Sequence, residues 1–206
     1  ADDDVTAAAE EVASLDVVLW PLLRNLHAVA RAQDRPLFDD DAHPHRQRSV
    51  GRTDVVVNDT LGSDGRWRNL AKHQFADIVP PAELSLWLDG RKLEAVIHMG
   101  AISSTMATDG DVVLDINFRL SLQLLDWCTE AHTPFIYASS AATYGDGDQG
   151  FADDTTPDAL RTLRPMNLYG WSKHLFDLAV ADRVARNEKL PPHWAGLKFF
   201  NVFGPN

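Results

Sequence analysis

The stretch FIYASSAATYG, Phe135–Gly145, decides how the rest of the chain is read. Aromatic and β-branched side chains suit a pleated, buried surface, so its first half predicts a strand over Phe135–Ser139. That strand runs out into small polar residues, and in α/β folds ligands bind beyond the carboxyl ends of the strands. The same pattern recurs on both sides. DVVVN (Asp54–Asn58), LEAVIHM (Leu93–Met99) and GLKFF (Gly196–Phe200) predict three more strands, and the last two continue into GAISST and NVFGP. Between the strands, Asp111–His132 and Asn167–Glu188 carry apolar residues at helical spacing, and PAELSLWL opens a shorter helix at Pro80 or Pro81, where proline suits a first turn. Strands alternating with amphipathic helices predict βαβ units: an α/β chain with a Rossmann-like, doubly wound parallel sheet.

Upstream the composition changes. The chain has 12 glycines, the first of them Gly51, while residues 1–50 hold 10 of the 30 acidic residues. Val5–Ala32 is rich in Ala and Leu and predicts one or two helices broken near Pro21, and PLFDDDAHPHRQRSV after it predicts loop or disorder. The division expected is a helical or disordered segment over residues 1–52 and the α/β domain over residues 53–206.

Composition narrows the function. With 45% hydrophobic and 24% charged residues the chain has the make-up of a folded domain. A net charge of −11 opposes nonspecific binding to nucleic acid or an anionic membrane. The single cysteine, Cys128, forms no intramolecular disulfide and sits among helix residues as a packed thiol, and a reducing cytoplasm fits it. No run of 18 apolar residues occurs, and ADDDVTAAAEE is acidic where a signal peptide is basic, so a cytoplasmic location is expected. The eight histidines are scattered without metal-ligand spacing, and no metal is expected.

The sharpest constellation is Ser139-Ser140 after one strand, then Tyr169-Gly-Trp-Ser-Lys173 on the next long helix. Residues four apart share a helix face, so an ammonium can lie beside a phenol. A free phenol titrates near pH 10 and is a poor base at neutrality; a neighbouring cation favours its anion. A serine hydroxyl across the site can hold the substrate oxygen whose proton the phenol removes. Those are the parts of alcohol oxidation with hydride transfer to a nicotinamide.

DVVVNDTLGSDGRWRNL, VIHMGAISSTMATDG, FIYASSAATYG, NLYGWSKHLFD and FFNVFGP occur in one order over residues 54–205. In these stretches the chain resembles the extended short-chain dehydrogenase/reductases, the NAD-dependent epimerase/dehydratase family, and among them most closely those acting on an ADP-heptose. Sugar-nucleotide dehydratases of the family place an acidic pair where Ala141 and Ala142 stand, which directs the reading to epimerisation. The resemblance implies that Ser140 orients the substrate, Tyr169 is the acid/base, and Lys173 tunes Tyr169 and bonds the nicotinamide ribose. It implies further that Asp59 and Thr60 receive the adenosine ribose and Arg66 a ribose 2′-phosphate, making NADP the expected cofactor over NAD. Met99, Gly100, Ala101 and Ser103 would line the cofactor, and Asn117 would brace their loop. Asn201 would touch the sugar and Val202 the nicotinamide. Read without the family, Ser103 is equally a helix cap, Asn117 a solvated helix residue and Asn201 a turn former.

The resemblance also implies an opening strand with a Gly-rich phosphate loop, for which residues 1–50 offer no glycine, and a substrate domain after Asn206. The chain is therefore expected to be fragmentary at both ends, with residues 1–50 read outside the family's frame. Intact relatives are expected to be homo-oligomers. The rival expectations are another NAD(P)-dependent sugar-nucleotide epimerase or reductase, and a catalytically silent binding module.

Overall fold

The computed structural model describes residues 53–63 and 65–202, together with the backbone of residues 27–31. It divides into two compact units, one holding the described residues up to Met99 and the other Gly100–Val202.

In the first unit four strands lie in the order β3 (Asp77–Val79), β2 (Val55–Asn58), β1 (His27–Arg31), β4 (Leu93–His98). The two predicted strands, β2 and β4, are continuous apolar runs because both their faces are covered: Val55, Val56, Val57, Val96 and Ile97 are all buried. The β2 and β3 strands pair in parallel. Helix α1 (Trp67–Leu70) links them, burying Leu70 against Val57. Neither β3 nor α1 is foreseen in the sequence, since three or four residues are too few to show a period. Prolines 80 and 81 open a 3-10 turn, Pro81–Glu83, that leads into α2 (Leu84–Leu88), where the short helix is expected.

The helix expected over Val5–Ala32 is corrected at its end. His27–Arg31 is a strand, between β2 and β4 and antiparallel to both. The rest of that expectation, the acidic loop after it and residues 203–206 lie outside the described residues. Alanine favours a helix by less than about 1 kcal/mol per residue. Two buried strands with open edges need backbone partners, and leaving such groups unpaired costs more than that. The position where the opening strand of the family was expected to be missing thus holds a strand of reversed direction.

In the second unit β5 (Phe135–Ser140) and β6 (Trp194–Phe199) pair in parallel, from Phe135 opposite Trp194 to Ser140 opposite Phe199. The predicted β6 begins two residues too late; Trp194 and Ala195 join because the start of β5 already needs them. One long helix expected from Asp111 is three consecutive pieces. They are α3 (Gly110–Leu114), a π turn over Asp115–Arg119 and α4 (Leu120–Glu130). Asp109 is its N-cap, its Oδ1 accepting from Val112 N–H at 3.1 Å, so Ser103 is not a helix cap. Helix α5 (Pro157–Leu160) precedes α6 (Leu168–Ala185), which carries the second predicted helical pattern. The core between β5 and α6 is aromatic. Phe176 meets Tyr137 edge-on with centroids 4.7 Å apart. Cys128 is fully buried, and burial pushes its thiol up to about 12, which makes it a packing residue at neutral pH.

Candidate active site

The β5 strand delivers Ser139 and Ser140 at its carboxyl end, both buried. Ser140 then turns the chain into a 3-10 turn, Ala141–Tyr144, its Oγ accepting from Ala142 N–H at 3.1 Å. Thr143 Oγ1 closes the turn by donating to the Ser140 carbonyl at 2.8 Å.

Helix α6 starts on Asn167, whose Oδ1 accepts from Gly170 N–H at 2.8 Å. Its first turn lies against the Ser140 turn because residue 170 is glycine: a Cβ there would stand 2.6 Å from the Ala142 carbonyl oxygen. The approach joins the helix bearing Tyr169 and Lys173 to the turn bearing Ser140. Tyr169 is half-buried, with Lys173 one turn further along the same face. Lys173 is 3% exposed, and no hydrogen bond or ion pair to its Nζ is found among the described residues. Burial lowers its ammonium from 10.5 to about 8, with Asp177 acting in the opposite sense. A cation on a side chain this desolvated is costly to keep, which makes Lys173 a candidate site residue.

Asn117 is fully buried, which removes its reading as a solvated helix residue. The π turn widens the helix at that residue, and its amide faces the loop after β4. Oδ1 accepts from Ile102 N–H at 2.8 Å, and Nδ2 donates to the Ile102 carbonyl at 3.0 Å and to Ser172 Oγ at 2.9 Å. Ser172 Oγ in turn donates to the Tyr169 carbonyl at 2.7 Å. A side-chain relay therefore ties the segment Gly100, Ala101, Ile102 and Ser103 to the Tyr169 turn. Gly100 is buried, Ala101 half-buried and Ser103 exposed.

In the first unit the residues after β2 form their own small cluster. Asp59 accepts from Thr60 N–H at 2.7 Å, and Arg66 Nη1 donates to the Thr60 carbonyl at 3.2 Å. Met99, at the end of β4, is half-buried. Asn201 and Val202, at the end of the second unit, are exposed, and no hydrogen bond of the Asn201 side chain is found among the described residues.

One feature escapes the sequence. Asp177, 6% exposed, accepts from Ser139 Oγ at 2.6 Å, from Tyr137 OH at 3.2 Å and from Lys198 Nζ at 2.7 Å. Lys198 Nζ also donates to Thr143 Oγ1 at 2.8 Å. Burial, then Asp177, holds the Tyr137 phenol well above its usual value, and burial keeps the neighbouring His174 below its own, hence neutral. The signal was present: a lysine inside the otherwise apolar run GLKFF needs a buried counter-charge.

The NAD dependent epimerase/dehydratase family model matches residues 44–206. The chain belongs to that family. Within the family it is 42% identical over 160 residues to the ADP-L-glycero-D-manno-heptose-6-epimerase of Fusobacterium nucleatum, which covers 76% of this chain and 47% of the relative. It is 44% identical over 173 residues to the enzyme of that name from Nitratidesulfovibrio vulgaris, covering 82% of this chain and 51% of the relative. Among solved structures, the ADP-L-glycero-D-manno-heptose-6-epimerase of Helicobacter pylori superposes with a TM-score of 0.58 at 26% identity, over 73% of this chain and 47% of that one. UDP-glucose 4-epimerase from Brucella ovis, in complex with NAD, superposes at 0.51 and 25% identity, over 71% and 44%. The chain spans about half the length of the curated relatives it matches.

Proposed function

We propose that this chain carries the cofactor half of an epimerase that converts ADP-D-glycero-D-manno-heptose to ADP-L-glycero-D-manno-heptose in the cytoplasm, through transient oxidation at C6″ with NADP. The observation that carries the reading is the contact through Gly170 of the Tyr169–Lys173 turn with the Ser140 turn, with the Lys173 side chain desolvated on that helix. The relatives' names supply the substrate.

In the second unit the residues present fit the nicotinamide and pyrophosphate part of a dinucleotide. Lys173 offers a buried donor for ribose hydroxyls. The Asn117-braced segment Gly100–Ser103 offers backbone beside the pyrophosphate, and Val202 a small apolar contact for the ring. Arg66, anchored on the Thr60 carbonyl beside Asp59, offers a guanidinium for a 2′-phosphate and favours NADP over NAD.

A nicotinamide held by Lys173 and the Gly100–Ser103 segment would supply the hydride acceptor and donor for C6″. The chain's own residues manage the proton and the geometry. Ser140 holds the C6″ oxygen by a hydrogen bond, and Asn201 reaches the sugar. Tyr169 accepts the hydroxyl proton in the oxidation, and the return from the opposite face would use a second acid/base on the other side of the sugar. Lys173, as an ammonium, stabilises the negative charge that the Tyr169 oxygen carries before it takes up the hydroxyl proton. At pH 7 it is mostly charged, being about one unit below its titration point near 8.

Thermal melts with NADP and with NAD test the reading. NADP should raise the transition more than NAD does, and Tyr169→Phe should keep that rise while turnover of ADP-heptose falls about a hundredfold or more, the range of a lost acid/base. Turnover by the variant equal to the parent would remove the phenol from the chemistry, and no shift at millimolar NADP would favour a silent module.

A further inference from the structure

We propose that the buried Asp177–Lys198 pair is a positioning device for the Ser140–Lys173 site: it clamps the Ser140 turn from two sides and keeps a negative charge one helical turn behind Lys173. The inference rests on the reading that Ser140 and Lys173 stand at the reacting centre.

The clamp is visible in the bonds. Ser139, immediately before Ser140, donates to Asp177 Oδ2 at 2.6 Å. Thr143, whose hydroxyl donates to the Ser140 carbonyl at 2.8 Å, accepts from Lys198 Nζ at 2.8 Å. Both ends of the turn are therefore fastened to one ion pair, closed at 2.7 Å. The pair spans α6 and β6, so it also fixes the helix bearing Lys173 over the strand that follows it in the sheet.

Stability alone does not call for such a pair. With side chains 13% and 6% exposed, both charges are desolvated, and a well-packed apolar pair of similar volume serves packing as well or better. What an apolar pair cannot do is set charge beside Lys173. Asp177 is four residues from Lys173 on α6 and is the group that counters the desolvation of its ammonium. The other ionisable groups packed around the pair leave it that role. His174 on α6 is neutral, Tyr137 on β5 keeps its proton, Lys198 on β6 is spent on Asp177 and Thr143, and Lys198 Nζ stands 5.0 Å over the Tyr144 ring. Arg164, before α6, acts on His174.

Competitive acylation of lysines with trace acetic anhydride across pH, read by mass spectrometry on the full chain, reports the titration midpoint of Lys173. Asp177→Asn should move that midpoint to lower pH, and Asp177→Glu should restore it. Because Asp177→Asn strands Lys198, the double variant Asp177→Asn/Lys198→Met is the decisive one. It should regain the melting temperature lost by the single variant and still show the lowered midpoint. A double variant that folds with the parent's midpoint would overturn the proposal and leave the pair a packing feature. Protection of Lys173 by NADP in the parent chain is scored separately. Its absence would strike the cofactor reading, so the two failures are told apart.

Discussion

The loop after β2 and the turn after β5 occupy equivalent places at strand ends, yet they are held differently. Asp59 accepts from Thr60 N–H and Arg66 donates to the Thr60 carbonyl, both bonds involving main-chain groups in exposed surroundings. Ser140 and Lys173 sit over a buried lattice of side chains, Asn117, Ser172, Asp177, Lys198, Thr143 and Ser139, in which nearly every polar atom has a partner. On the proposed reading these groups position a proton and a substrate oxygen, a task that needs rotamers locked by packing.

Substitutions on the two sides should therefore differ in kind. The largest effect is expected at Asn117, where Asn117→Ala unpairs both part-buried Ile102 backbone groups, removes the donor to Ser172 Oγ and leaves a cavity in place of a fully buried side chain. Unpaired buried groups cost about 1–3 kcal/mol each, so a loss of about 4 kcal/mol is expected in denaturant unfolding. A loss below about 1 kcal/mol would show that the lattice is not rigid.

Lys173 should show the opposite sign. Its ammonium titrates at about 8 when folded and at 10.5 when free. Between those values the unfolded chain binds the extra proton, so stability rises with pH through that window, and below about pH 8 the penalty is fully present. It amounts to about 3 kcal/mol at 1.36 kcal/mol per unit. Lys173→Met should therefore raise stability by about that much at pH 7, with the gain fading as pH approaches 10.5, while NADP binding falls. A destabilised variant at pH 7 would mean that Lys173 has a structural partner.

The smallest effect on folding belongs to Arg66. Arg66→Ala should change stability by less than about 0.5 kcal/mol, yet erase about tenfold of the preference for NADP over NAD in paired titrations, the value of one charge-assisted contact. An unchanged preference would place the 2′-phosphate elsewhere.

How far the sequence reached follows the same division. Strands β2, β4 and β5 are legible because strands buried on both faces are apolar almost without interruption, and α6 because its apolar residues keep period over five turns. Short β3 and α1 carry too few residues to show a period. His27–Arg31 is not legible as a strand, because its alanine content is a local signal and the pairing demand of two distant strands is not. Ser140, Tyr169 and Lys173 were legible as a spacing. Asp177 and Ser172 were not, because each gains its meaning from partners 38 and 55 residues away. The π turn that carries Asn117 inward has no local signature.

The chain has 3 tyrosines, Tyr137, Tyr144 and Tyr169, of which only Tyr169 is more than slightly exposed. Fluorine NMR of the 3-fluorotyrosine protein, with the Tyr169 line assigned by its loss in Tyr169→Phe, is thus a direct view of the phenol beside Lys173. Addition of NADP should move the Tyr169 line saturably and leave the Tyr137 line in place. A Tyr169 line that stays fixed while NADP raises the melting temperature would put the nicotinamide away from this helix face and contradict the site.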